Sequence, residues 1–367
     1  VALRRSSSRS ELTLKYLGGG TVANRQALAN GQTELNAVLQ QLEATQSLKW
    51  RRWALLVGDQ FSYLPQSSFG LLDGSVSSFG TGLGSSLGQL PSLQSFLSPN
   101  QSVLSGRGGR VSNTFLTQGG YHLTARSSLT IAGAYGLLRF FDSDLLDSYN
   151  AMLVTGYSRQ ISGRDTLGVA YRFNAFRFTG LNQAVDNHVA ELAYGRRVTG
   201  RLALRLAAGP EVDVFRDSGV AKQSRPAWSL ESALHSRLSR TALDLSYQRG
   251  LTGGAGVLAG AETNQVEATM TRGLWRVWQS SLGLGYAKNR NVAATAVSPL
   301  NRNFNTWYGR VQFRRPIGRG ADQFIAYALQ LQKSDTSFCA GSVCASSVVR
   351  HQLSIGFNWH HRPIAIK

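Results

Sequence analysis

Apolar and polar residues alternate in sixteen segments of this chain. In the stretch 201–214, Leu202, Leu204, Leu206, Val212 and Val214 share one parity, while Arg205, Glu211 and Asp213 share the other. Successive side chains of a strand point to opposite faces, so a period of two separates an apolar face from a polar one. The pattern predicts strands at 11–19, 35–49, 52–63, 110–125, 128–140, 149–161, 166–178 and 185–198. It predicts eight more at 201–214, 227–238, 241–252, 263–274, 278–290, 304–315, 321–334 and 348–359.

The connections alternate as regularly as the side chains. Tight turns fall at 50–51, 126–127, 162–165, 199–200, 239–240, 276–277 and 316–320. Long loops fall at 20–34, 64–109, 141–148, 179–184, 215–226, 253–262, 291–303 and 335–347. This order predicts an all-β, antiparallel, up-and-down sheet closed into a transmembrane barrel of about sixteen strands, one domain over 1–367. A soluble sandwich has shorter strands, of about five or six residues. A propeller would show a repeat of about 40 residues, and none is visible.

Composition sharpens this picture. Only 42% of the residues are hydrophobic, and no apolar run reaches the roughly 18 residues of a membrane helix. Barrel strands are only half apolar, so a modest average fits them. The first residues lack the apolar core of a signal peptide; for a secreted barrel, the expectation is that the signal or a longer N-terminal part has been removed. Two cysteines, Cys339 and Cys344, are close enough for a local disulfide in a loop, which suits an oxidising compartment. Five of the seven tryptophans, Trp50, Trp53, Trp275, Trp278 and Trp359, lie beside short turns or at the last strand end. Amphipathic rings settle at membrane interfaces, so these five are candidates for an aromatic girdle.

The final strand carries the most specific local signal. Ser354-Ile355-Gly356-Phe357-Asn358-Trp359 puts Leu353, Ile355, Phe357 and Trp359 on one face, with a glycine two residues after a serine. With the short-turn and long-loop order, this resembles bacterial outer-membrane β-barrel proteins of the porin type. The likeness departs at the end, where His361 and the tail Arg362–Lys367 follow and the family stops at an aromatic. The resemblance implies the bacterial outer membrane, periplasmic short turns and extracellular long loops. It also implies a channel for passive or gated diffusion of small hydrophilic solutes. A non-conducting barrel that scaffolds a surface or periplasmic assembly is the alternative.

If the apolar parity faces lipid, the inward set includes Glu43, His122, Arg172, Glu191, Arg205, Glu231, His235, Asp244, Glu267 and Arg310. A polar, mixed-charge wall implies water or paired charges inside, because an unpaired buried charge costs several kcal/mol. Rings of charge set selectivity in pores, so these ten are the candidate pore-lining residues. The excess of basic residues, net charge +19, is expected on the short-turn side, at positions such as Arg51, Arg126, Arg164, Arg201 and Arg240. There it meets headgroup phosphates or an acidic periplasmic partner. The basic ring lacks the stacking groove of a nucleic-acid site. Outer-membrane lipids and a homo-oligomer, such as a trimer, are the other expected partners.

Loop 64–109 is long and rich in Gly, Ser, Leu and Phe, and porins commonly fold such a loop inward. It is expected to constrict, plug or cap the mouth. No metal-ligand spacing and no cofactor motif appear. Asp186-Asn187-His188 is the nearest approach to a catalytic constellation, and it has no serine partner in its pattern, so no enzyme is expected.

Overall fold

A computed structural model describes residues 2–21, 37–64, 109–141, 146–179, 183–217, 220–253, 258–275, 277–292, 303–318, 321–340 and 343–359. Those residues contain no helix. The strands are β1 (Ala2–Ser6), β2 (Ser10–Thr21), β3 (Ala37–Lys49), β4 (Trp53–Leu64), β5 (Arg110–Thr124) and β6 (Ser127–Phe140). They continue with β7 (Ser148–Gln160), β8 (Asp165–Phe178), β9 (Gln183–Arg197), β10 (Leu202–Asp217), β11 (Val220–Arg237) and β12 (Thr241–Thr252). The last are β13 (Ala261–Leu274), β14 (Trp278–Asn291), β15 (Asn303–Ile317), β16 (Ala321–Ala340) and β17 (Val343–Trp359). Each strand pairs antiparallel with the next in sequence, from β1 with β2 to β16 with β17.

The two faces of this meander are inverted relative to a soluble protein. Leu153, Leu192 and Leu284 are 45%, 56% and 52% exposed on the outer face. Glu43, Arg172, Asn187, Asp213 and Gln330 are buried on the inner face. Hydrocarbon outside demands this arrangement, since lipid accepts apolar side chains and every backbone group must be paired within the sheet. Outward Trp53, Trp228 and Trp307 add to the exposed aromatic surface. Substituting Leu153, in the middle of β7, by arginine should cost about 2–4 kcal/mol, as for a cation facing lipid at mid-depth. Denaturant unfolding in lipid vesicles measures that loss, and an equal loss for Gln118→Arg on the inner face would contradict the assignment of faces.

The sheet curls. Leu258 and Ala259, adjacent in the β12–β13 connection, belong to two apolar clusters. One holds Phe304 and Val348 of β15 and β17, and the other holds Phe176, Phe178 and Val185 of β8 and β9. Strands are about 4.8 Å apart, so eight strands of flat sheet would separate β9 from β17 by nearly 40 Å. Neighbouring residues can reach both only if the sheet rolls into a barrel wall.

The structure departs from the sequence reading in four places. A short additional strand, β1, pairs with β2, making seventeen strands among the described residues where about sixteen were expected. Its five residues carry two arginines and no apolar alternation, so the period-two signal misses it. The stretches 215–226 and 335–347 are mostly ladder, with Asp217 opposite Val220 and Ala340 opposite Val343. Backbone pairing continues there without an apolar parity to reveal it. Cys339 and Cys344 are therefore backbone partners across the β16–β17 ladder, not residues of an open loop. Finally, the inner wall is not polar throughout: Ala132, Ala134, Met152 and Val154 are buried on the inward parity of β6 and β7. The expected constriction at 64–109 lies outside the described residues.

Candidate functional site: a charged lumen network beneath an in-folded hairpin

The inner face of β8 to β11 holds interleaved acids and bases. Arg172 of β8 donates through Nη2 to Glu191 Oε1 at 3.0 Å and to Ser229 Oγ at 3.2 Å. Its Nη1 lies 3.9 Å from Glu231 Oε1, and Ser229 Oγ donates to Glu191 Oε1 at 2.9 Å. Arg205 shares the inward parity of β10 with buried Ala207. Toward the loops, Asn174 Nδ2 donates to Asn187 Oδ1 at 3.0 Å. Asn187 Nδ2 donates in turn to Glu211 Oε1 at 2.6 Å and Asp213 Oδ1 at 2.8 Å. Charges removed from water need such partners, because the desolvation cost per ion is several kcal/mol. Between these layers Pro210 has no N–H, and the β9–β10 register skips from Ala208 to Glu211. Gly209 fits there because a Cβ would meet the Ala190 carbonyl oxygen at 1.7 Å.

Above this network the wall parts between β11 and β12, while β13 stays paired with β14 as far as Ala261 opposite Asn291. β11 and β12 pair only as far as Leu230 opposite Arg249, while β12 and β13 remain paired to Thr252 opposite Ala261. Freed from β11, the Leu251 N–H donates to Glu211 Oε1 of β10 at 3.2 Å. β12 must therefore bend across the inner side of β11. Thr252 Oγ1 and Thr263 Oγ1 are 2.8 Å apart, and Thr263 Oγ1 donates to Asn289 Oδ1 at 2.8 Å. Gly260, at φ +91°, turns the chain where a side chain would be strained. A Cβ there would touch Val185 and Val292.

A single carboxylate ties the hairpin to its surroundings. Glu262 of β13 is buried and meets three guanidinium groups. Arg249 and Arg290 approach it to 2.7 Å, and Arg225 to 3.2 Å. Arg225 also holds Asp213 at 3.0 Å, so the wall network and the hairpin are continuous. Arg249 stacks 4.2 Å above the Trp228 ring, which fixes the guanidinium from the outer side.

All ten candidate pore-lining residues fall on the inward parity, but they do not form one site. Arg172, Glu191, Arg205 and Glu231 belong to the network just described. His235 and Asp244 pair with each other nearer the short turns, half exposed. Glu43 takes Lys15 at 3.2 Å, and Arg310 Nη2 donates to Gln312 Oε1 at 2.6 Å. His122 is exposed near the β5–β6 turn, and Glu267 is on β13. Asp186 and His188 have separate partners. His188 Nδ1 lies 2.7 Å from the outward Tyr171 hydroxyl, and Asp186 is held by Arg177 at 2.8 Å and by Arg216.

At the short turns Trp50, Trp53 and Trp275 are exposed, and Arg315 lies over the Trp278 ring at 5.7 Å. The Trp359 side chain and the two cysteine side chains lie outside the described residues. In the 162–165 turn, beyond the apolar belt, hydrogen bonds from Ser162 and Tyr194 hold the Asp165 carboxyl below the usual carboxylate range. The exposed arginines 51, 126, 164, 201 and 240 stand at this end, as the sequence suggests. Sequence reasoning missed the in-folded hairpin and Glu262. The available signal was Gly250, Gly253, Gly254 and Gly260 around a short apolar segment, but it does not say which way a hairpin bends.

No family model and no curated protein matches the chain. Solved structures do align with it. The FrpB iron transporter from Neisseria meningitidis (F3-3 variant) is 8% identical at a TM-score of 0.45, covering 90% of this chain and 58% of its own. The siderophore receptor PiuA from Acinetobacter baumannii is 9% identical at 0.43, covering 92% and 62%. The ferric-catecholate import receptor Fiu from E. coli K12 is 7% identical at 0.44, covering 97% and 72%. This chain spans less than two thirds of the first two. At these identities and scores the likeness assigns no ligand, partner or activity.

Proposed function

We propose that this protein is a gated channel for small hydrophilic solutes in a bacterial outer membrane, and that the β12–β13 hairpin is its gate. The observation that carries the reading is the Leu251 N–H on Glu211: a strand of the wall has left its neighbour and crossed the lumen side. Strand-built walls with apolar outer faces are suited to the outer membrane. A barrel of about sixteen strands is wide enough for an aqueous path. The paired charges beneath the hairpin line that path, and the basic turns face the phosphates of the inner leaflet. The reading involves no catalytic step and no cofactor.

Conductance in planar bilayers tests it. The native chain should be closed most of the time. A variant with residues 253–260 replaced by Asn-Gly, a two-residue turn that suits a hairpin, should carry steady current at least tenfold above it. A variant that inserts, folds and stays silent would defeat the channel reading and favour a scaffold for a surface or periplasmic assembly.

A further inference from the structure

The outer face changes character abruptly near the loop-side ends of β14 to β16. Tyr286, Trp307 and Leu331 stand side by side in the ladder, and the Tyr286 and Trp307 ring centroids are 4.4 Å apart. Trp307 is 57% exposed and Leu331 36%. Two residues further toward the loops, the same outward parity gives Lys288, Asn305 and Lys333, again side by side. Steps of two residues stay on one face of a strand, so the lysines stand above the aromatic row. Amphipathic rings settle at the boundary between hydrocarbon and headgroups, which puts both lysines in the headgroup layer on the loop side.

These two cations are not neutralised within the fold. Elsewhere at the loop-side ends, arginines have acids beside them. Arg139 lies 3.7 Å from Asp147, and Asp186 takes Arg177 at 2.8 Å as well as Arg216. Arg290, the next outward residue above Lys288 on β14, is 2.7 Å from Glu262. Lys288 and Lys333 are exposed, and neither has an ion pair or a hydrogen bond among the described residues. None of the described outward side chains of β14 to β17 is acidic. Two strand spacings, about 10 Å, separate the lysines, so one phosphorylated headgroup can meet both.

We propose that Lys288 and Lys333 form a site on the outer wall for a phosphate-bearing lipid of the outer leaflet, whose acyl chains lie against Trp307 and Leu331. Charge complementarity selects the headgroup: an ammonium binds phosphate as a point charge, and no acid of this face competes for it. The exposed apolar row beneath selects a lipid over a free anion, because acyl chains need that row and inorganic phosphate does not. Each basic residue at an anionic membrane surface strengthens binding about fivefold. The basic short turns stand at the other end of the strands and meet the opposite leaflet. The site lies outside the lumen, so it does not depend on the channel reading.

The test uses the full-length protein in detergent, with lipid A and dephosphorylated lipid A as the two probes. Native mass spectrometry across a lipid titration reads the bound fraction. The native protein should bind lipid A at least tenfold more tightly than the dephosphorylated form. Lys288→Gln with Lys333→Gln should weaken lipid A binding about 30-fold and leave binding of the dephosphorylated form nearly unchanged. Lys288→Arg with Lys333→Arg keeps both charges and should bind lipid A nearly as the native protein does. Arg51→Gln with Arg240→Gln removes the same charge at the short turns and should also leave the affinity nearly unchanged. Equal affinity for the two lipids, or an equal loss in the two glutamine pairs, overturns the proposal. Displacement of lipid A by millimolar inorganic phosphate would make this a site for a free anion and overturn the lipid assignment.

Discussion

Glu262→Gln should open the channel about 30-fold more often than the native protein. The glutamine keeps the shape of the side chain but removes the charge that holds Arg225, Arg249 and Arg290 together. Breaking a fully buried pair by removing one partner costs about 3–5 kcal/mol. Arg290 is half exposed and Arg225 a third exposed, and solvent screening reduces their share. A net change of about 2 kcal/mol follows, and 1.4 kcal/mol is tenfold in an equilibrium. The three arginines then repel one another beside a hairpin that has lost its anchor. Single-channel records give the open probability directly. High salt should raise native opening in the same direction, since it weakens the exposed part of the cluster. If trimming 253–260 opens the channel but Glu262→Gln leaves the open probability unchanged, Glu262 is not the latch.

Arg172→Met is expected to be the most destabilising single change in the wall, by about 3–5 kcal/mol. Methionine fills most of the volume, so the loss is electrostatic. Glu191 then loses its guanidinium hydrogen bond, and Glu191 and Glu231 on the inner face keep only the attraction of Arg205. Ser229 can still donate to Glu191, but a neutral hydroxyl offsets only part of a buried charge. Urea unfolding in lipid vesicles reads the loss. The double variant Arg172→Met with Glu191→Gln should recover at least half of it, because removing both members of a buried pair costs far less than removing one. A single variant as stable as the native protein would mean that these charges are solvated, and the paired-network account of the wall would fail.

Particular residues show why some features were legible in the sequence and others were not. Leu202, Leu204 and Leu206 against Arg205 declare a two-faced strand, because one face must meet hydrocarbon. The same logic places Arg172, Glu191 and Glu231 on the inner face. It could not bring them together. Arg172 meets Ser229 and Glu231 three strands away, and that approach depends on how tightly the sheet curls. It also failed where the environment stops distinguishing faces. The ladders at 215–217 and 338–340 have no apolar parity to read, and Met152 and Val154 are apolar yet point inward.

The sequence by itself determined the antiparallel meander of long strands, the alternation of short turns with loops, the polar parity and the basic turn side. Each follows from local rules: two-residue periodicity, turn chemistry, and the need of every backbone group for a partner out of water. Only the tertiary structure decided that β12 leaves β11 at Arg249, that the Leu251 N–H finds Glu211, and that Glu262 gathers three arginines. A hairpin can fold toward the lumen or away from it with the same internal ladder. The choice is made by contacts between strands far apart in sequence, and no local pattern of residues encodes those.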